Sequence, residues 1–186
     1  MPDRAEVASA LYGAYRLAWL DATGMAHFNL TFDGFWHSFF AAVLVAPAYA
    51  ILVGLQGAAE PEPVDLGLLV VSESIGYVLA WAAFPLVAIV LTRVLGLDRR
   101  YVALIVALNW SAVLQTVLFM IVVLVGPMLP GALGTFLITL MTGAILLYQG
   151  FVIRSALETT SGIALMLLLV DLVVTALINI GTDRLL

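Results

Sequence analysis

Five long apolar runs divide the chain, at about 35–56, 67–92, 101–127, 131–152 and 161–181. Each reaches the ~20 residues that a helix needs to cross a bilayer. A backbone facing lipid must close its own hydrogen bonds, so each run is expected to be an α-helix. The separators carry turn chemistry or charge. "QGAAEPEPVD" (56–65) holds two prolines and three acids, and "RVLGLDRR" (93–100) is basic around a glycine. "GPMLPG" (126–131) is a tight uncharged turn, and "RSALETT" (154–160) is short and polar.

A different pattern precedes the first run. "AEVASALYGAYRLAWLD" (5–21) is too short and too polar to span. Val7, Leu11, Ala14 and Ala18 recur at helical spacing on one face. Tyr12, Tyr15 and Trp19 suit the level of the headgroups, where a ring meets lipid and water together. An amphipathic helix lying in the cytoplasmic interface is expected, with docking to a partner as the alternative. "DATGMAHFNLTFDG" (21–34) reads as an ordered loop, and "FWH" (35–37) as the membrane boundary. The chain thus divides into a cytoplasmic helix and loop, 1–34, and a five-helix bundle, 35–186. "APAYA" (46–50) offers an A-x-A cleavage site, but the preceding region is long and not notably basic, and the apolar run continues beyond it, so no cleavage is expected.

Arginine placement sets the expected orientation. Arg4, Arg16, Arg93, Arg99, Arg100 and Arg154 all fall on one side if the N-terminus is cytoplasmic, and only Arg184 falls on the other. The expected fold is an all-α integral membrane protein with five transmembrane helices, N-in and C-out, in a bacterial cytoplasmic membrane. Composition agrees: 64% of the 186 residues are hydrophobic and 10% charged, against about 25% charged in a soluble domain. A net charge of −5 offers no basic patch for nucleic acid. Cysteine is absent, which removes disulfides and thiol chemistry.

Lipid tails give helices no hydrophobic reason to associate, so close packing needs small residues. Ala42, Ala46, Ala50 and Gly54 form a ridge in the first span. Ala103, Ala107 and Ser111 repeat it in the third, Ser72, Gly76 and Ala80 in the second, and Thr135, Thr139 and Gly143 in the fourth. A compact bundle is expected, with kinks where Pro47 and Pro85 remove a backbone donor.

Asp171 stands inside the fifth run, "LLLVDLVVTALINI", with Thr175 and Asn179 one and two turns on. Glu73 lies two turns into the second span, and Asn109 and Gln115 lie in the third. Antiparallel threading brings Asp171, Glu73 and Gln115 to similar depths. An ionised carboxylate there costs at least about 2.5–3.5 kcal/mol. No arginine lies deep in a span, so the acid must meet water or keep its proton and donate to Gln115, Asn109 or Tyr77. Asp171 is therefore expected to face the bundle interior and to be largely neutral at pH 7. The candidate polar site is Glu73, Tyr77, Asn109, Gln115, Asp171, Thr175 and Asn179. It serves either a proton or solute path, or a hydrogen-bond cluster fixing helix register or meeting another subunit. No inverted repeat is visible.

No H-E-x-x-H, G-x-S-x-G or phosphate-cradling loop appears, so neither enzyme nor cofactor is expected. His27 and His37 have no acid cluster beyond Asp33, which leaves no metal site. Arg99 and Arg100 are candidates for an anionic headgroup.

"FPLVAIVLTRVLGLDRRYVALIVALNW" and "ILLYQGFVIRSALETTSGIALMLLLV" together resemble the second to fifth spans of bacterial Yip1-domain proteins, over residues 85–175. The resemblance implies five spans and a cytoplasmic N-terminus, and no assigned activity. A tyrosine and a proline of that family's third span are replaced by Asn109, Trp110 and Ser111, without a proline. The leading functional expectation is a non-enzymatic scaffold or accessory subunit, in contact with lipid and with a protein partner or a second copy. The alternatives are a small proton- or solute-conducting protein using Glu73 and Asp171, which requires a cavity reaching one of those acids, and a lipid-binding protein.

Overall fold

Asp3 opens the first helix by accepting the Glu6 amide at 2.7 Å, and α1 runs Arg4–Ala18. In this computed structural model, which describes residues 1–59 and 65–183, every regular element is helical. The central part of the acidic separator, 60–64, and Arg184 lie outside the described residues. Thr31 caps α2 (Phe32–Ser38) through the Gly34 amide, and the chain turns at Phe39 into α3 (Phe40–Ala59). Asp65 accepts the Gly67 and Leu68 amides and starts α4 (Leu66–Val94). Then follow α5 (Tyr101–Val125), α6 (Ala132–Leu157) and α7 (Ser161–Asp183). Five segments are long and apolar enough to cross a membrane: α2 with most of α3, and α4, α5, α6 and α7. Pro47 and Pro85 sit inside continuous helices.

α5 is the hub, packing against α1, α2, α3, α4 and α6. Its face of Ala103, Leu104, Ala107, Trp110 and Ser111 is buried. Small side chains at 103, 107 and 111 let neighbours approach, as helix packing without a hydrophobic drive requires. α6 continues round to α7, and α7 to α4, where a Cβ on Gly76 would stand 3.2 Å from the Thr182 side chain. α3 and α4 are joined by side chains: the Tyr77 hydroxyl donates to the Ala42 carbonyl at 2.5 Å.

α1 exposes the expected aromatic residues and also joins the bundle. It packs against α5 and α6, with Ala10, Gly13, Ala14 and Leu17 buried, and Tyr148 donates to the Ala14 carbonyl at 2.8 Å. Of the expected face, Ala14 is fully buried, and Val7, Leu11 and Ala18 are partly buried against the same core. Gly13 and Gly24 bring the helix and the following 3-10 turn (Ala22–His27) into backbone contact. Tyr12, Tyr15 and Trp19 remain exposed as a row of neighbouring rings. The expected loop holds that turn and the first residues of α2, fastened by three polar anchors. Asp21 accepts two bonds from Arg16; Thr23 first, then Arg16, holds its carboxyl below the ordinary value. Asn29 accepts from Thr31 and donates to Glu6, and Glu6 also pairs with His37 at 2.8 Å.

The small-residue ridges are used unequally. Ser72 and Gly76 are buried, while Ala80 is exposed. In α3 the buried positions are Ala41 and Val45; Ala42 and Ala46 are half-buried, and Ala50 and Gly54 are exposed. α3 is rotated by about one residue because Val45, Tyr49 and Leu52 face α5 and its cavity. Thr135 and Thr139 are likewise exposed, and nothing stands within 4 Å of a Cβ on Gly143.

Two glycines give a contrast. A Cβ on Gly34 would lie 2.0 Å from the Asn29 carbonyl oxygen, whereas one on Gly54 meets nothing within 4 Å. Gly34→Ala is expected to destabilise by about 1–3 kcal/mol or more, as overpacking does. Gly54→Ala should be neutral or mildly stabilising. Thermal unfolding of the two variants in detergent checks the difference, and equal midpoints would contradict the packing described.

Candidate functional site: a cavity between four apolar helices

The α6–α7 hairpin brings two polar residues together across a short turn. Gln149 lies ten residues before Thr159, and Asp171 lies eleven after Thr160. Antiparallel helices of equal rise place such positions side by side, about 15 Å from the turn. The Gln149 Nε2 donates to Asp171 Oδ2 at 2.5 Å. Gln149 was not among the expected site residues, since it stands near the end of the fourth apolar run. The signal that finds it is its distance from the turn.

Asp171 faces a partly open cavity of about 320 Å³ walled by α4, α5, α6 and α7. Asn109, Gln115, Gln149, Asp171 and Thr175 supply the polar wall, and Trp81 and Phe84 supply aromatic surface opposite. Asn109 is buried, and its Nδ2 donates to Ser38 Oγ at 2.9 Å, tying the cavity to the α2–α3 junction. The Gln115 Nε2 is buried without a hydrogen-bond partner among the described residues.

The remaining expected residues lie elsewhere. Glu73 accepts from the Tyr49 hydroxyl at 2.5 Å, between α4 and α3. Tyr77 stacks near Tyr49 and is committed to the Ala42 carbonyl, so it does not bond Asp171. Asn179 is exposed and lines no cavity described here; its carbonyl accepts from Thr182. The expected seven-residue cluster therefore splits, because α3 inserts Tyr49 beside Glu73, and Asn179 joins neither part. Gln115 also borders a second, more open and mainly apolar space of about 340 Å³, lined by Val45, Tyr49, Leu52, Val53 and Phe119 among others; Glu73 lines neither space.

Of the two candidate headgroup arginines, Arg100 pairs with Glu158 on the α6–α7 connection. Arg99 is exposed and makes no ion pair among the described residues. No group of histidines and acids suited to a metal occurs among the described residues.

No protein-family model, no curated protein and no solved structure matches this chain. The chemistry of the cavity therefore rests on its residues alone. A carboxyl, three side-chain amides and a hydroxyl can hold water, a proton or a small polar solute; they offer no nucleophile with an adjacent base.

Gln149→Leu and Asp171→Leu should each destabilise the bundle, and the double variant should lose less than the sum. A coupling of about 0.6–1.7 kcal/mol is expected for such an interhelical bond. Unfolding measurements on the four proteins provide the cycle, and additive losses would show that the bond contributes nothing.

Proposed function

We propose that this chain is a non-enzymatic multi-pass membrane protein that conducts a proton or a small polar solute through the Asp171 cavity. The observation that carries the reading is the cavity itself: an acid inside an apolar helix opens on a space walled by four helices, with three side-chain amides and a hydroxyl set in a mainly apolar lining. A group serving only helix register needs a partner and no space. Asp171 has both, a bond to Gln149 and a free volume beside it. Water needs ~30 Å³ per molecule in the liquid and two to four polar partners. The amides and Thr175 provide such partners.

In this reading Asp171 is the group that takes and releases the proton, or that holds a polar solute against its carboxylate. Gln149 orients the carboxyl through one oxygen and leaves the other for the cavity. Trp81 and Phe84 close the opposite wall. Orientation belongs to the same proposal: N-in and C-out, in a cytoplasmic membrane, on the strength of the six arginines that share one side. So does the likeness to bacterial Yip1-domain proteins, which rests on the order of spans and loops from 85 onward and brings no activity.

A second reading, the scaffold or accessory subunit, has one observation behind it. Ala50, Gly54, Thr135 and Thr139 are small and exposed, an arrangement that suits a neighbouring helix. Under that reading the protein keeps a partner or a second copy in mild detergent, and a monomer by native mass at every detergent level removes it.

For the leading reading, purified protein in liposomes carrying an internal pH dye is challenged with a proton gradient. Wild type is expected to collapse the gradient faster than empty liposomes, and Asp171→Asn to return to the empty rate. Equal rates for the two proteins would sink the proposal for protons. The same pair assayed for uptake of small labelled solutes covers the rest of it.

A further inference from the structure

The Asp171 cavity presents more acceptors than donors. Gln149 Nε2 donates to Asp171 Oδ2, and Asn109 Nδ2 donates to Ser38 Oγ. The Gln115 Nε2 is enclosed and presents no donor to the space. Asp171 Oδ1, Gln149 Oε1 and Asn109 Oδ1 accept no hydrogen bond among the described residues, and none of them is enclosed in that way. Proline adds an acceptor on the opposite wall. Pro85 has no amide hydrogen, so the Trp81 carbonyl lacks its usual helical donor, and both residues border the cavity.

The charge is as one-sided as the hydrogen bonding. Among the described residues, Asp171 is the one titratable side chain that lines the space. Nearby titratable groups on the surrounding helices are engaged elsewhere: Glu73 with Tyr49, Tyr101 with the Pro85 carbonyl and Tyr148 with the Ala14 carbonyl. An ionised carboxyl away from water is costly unless a counter-charge joins it. The lining supplies none, so a cationic solute is favoured and an anion is repelled.

The remaining surface selects among cations. A metal ion requires oxygens on most sides, whereas this lining is mainly apolar and includes the Trp81 and Phe84 rings. A ring face attracts a cation within about 6 Å. Ala80 and Leu172 line the cavity and are exposed, so its mouth lies between the apolar faces of α4 and α7. Its volume, about 320 Å³, falls at the small end of the ~300–1,000 Å³ of small-molecule sites.

We infer that the solute of this site is a small organic ammonium ion, held with its nitrogen between the Asp171 carboxylate and the Trp81 ring. The inference rests on the solute reading of the cavity. The ammonium N–H groups donate to Asp171 Oδ1 and to the amide oxygens of Gln149 and Asn109. The carbon chain lies against Phe84 and Leu108. Where the carboxyl carries a proton beforehand, that proton leaves to water as the ammonium arrives, so the net charge of the space is unchanged. Gln149 keeps its bond to Oδ2 throughout and orients the carboxylate.

Three probes of nearly equal size and different charge test the assignment: butylammonium, 1-butanol and butanoate. Each is titrated into the purified full chain in mild detergent, and thermal unfolding is followed. A ligand that binds only the folded protein raises the midpoint. Butylammonium is expected to raise it, and 1-butanol and butanoate are not. Asp171→Asn is expected to weaken the butylammonium affinity about tenfold or more, as loss of one partner of a buried charge pair does. Trp81→Leu is expected to weaken it about fivefold. The three-probe comparison on wild type decides the matter if Asp171→Asn does not fold. No shift with butylammonium, equal shifts with all three probes, or an undiminished shift in folded Asp171→Asn would each overturn the inference. Undiminished binding in Trp81→Leu would overturn the place given to the ring. Proton flux that depends on Asp171, without butylammonium binding, would overturn the ammonium assignment and leave the Asp171 path standing. Butylammonium binding at Asp171, with no flux of proton or solute, would keep the ligand class and sink conduction.

Discussion

A carboxyl group in hydrocarbon must be sheltered, and in this chain the shelter is one bond between Gln149 and Asp171. Much of the arrangement around it follows from that constraint. The bond fixes the register of α6 against α7 at about 15 Å from the turn, half the ~30 Å that a bilayer core measures. It turns Asp171 away from the exposed apolar side of α7, which carries Leu165, Leu169 and Val173. With α7 held in that rotation, Thr175 falls beside the acid, and α4 closes the far wall with Trp81 and Phe84. A partner amide alone satisfies one oxygen. The cavity is the feature on which the proposed function rests.

The second organising feature is α5. It carries small residues where neighbours come close and Trp110 where they do not, so one helix supports five others. The N-terminal segment adds to this core. Ala10, Ala14 and Leu17 fill space against α5 and α6, and Glu6 joins α1 to α2 through Asn29 and His37. At the same end, Arg100 and Glu158 link the α4–α5 and α6–α7 connections. The half of the bundle that holds Asn109 and Asp171 is therefore cross-braced from several directions. Among the described residues, the opposite half has exposed small-residue faces on α3 and α6 and fewer such ties.

The helices were legible because lipid leaves the backbone no alternative to internal hydrogen bonding. Their number follows from the apolar runs, and their ends differ by a few residues; α6 extends to Leu157 because the turn falls only at Glu158, which takes a left-handed conformation. Rotation about each helix axis was not legible. In a uniformly apolar helix no face announces itself, so the α3 ridge was read from Ala42 and Ala46, while the buried positions are Ala41 and Val45. The polar residues gave depth but not partners. Asp171 and Glu73 were correctly singled out as inside long helices, yet their bonds go to Gln149 and Tyr49. One partner stood near the end of a run, and the other is a tyrosine that sequence alone reads as an ordinary apolar ring.

That split carries more meaning than a single cluster would. Two acids sharing one site oppose each other's ionisation. Here the two acids stand in separate sites, each with its own hydrogen-bond donor, and of the two only Asp171 faces a cavity. The separation depends on Tyr49 standing between α3 and α4 and on Gln115 standing between the cavities. A bundle built only to be rigid would fill those spaces with aliphatic side chains, which pack to crystal-like density at no polar cost. Retaining two spaces, with an amide donor between them that has no partner among the described residues, costs stability at one particular place. Under the proposed function, that local cost is where a path would depart from a purely structural core.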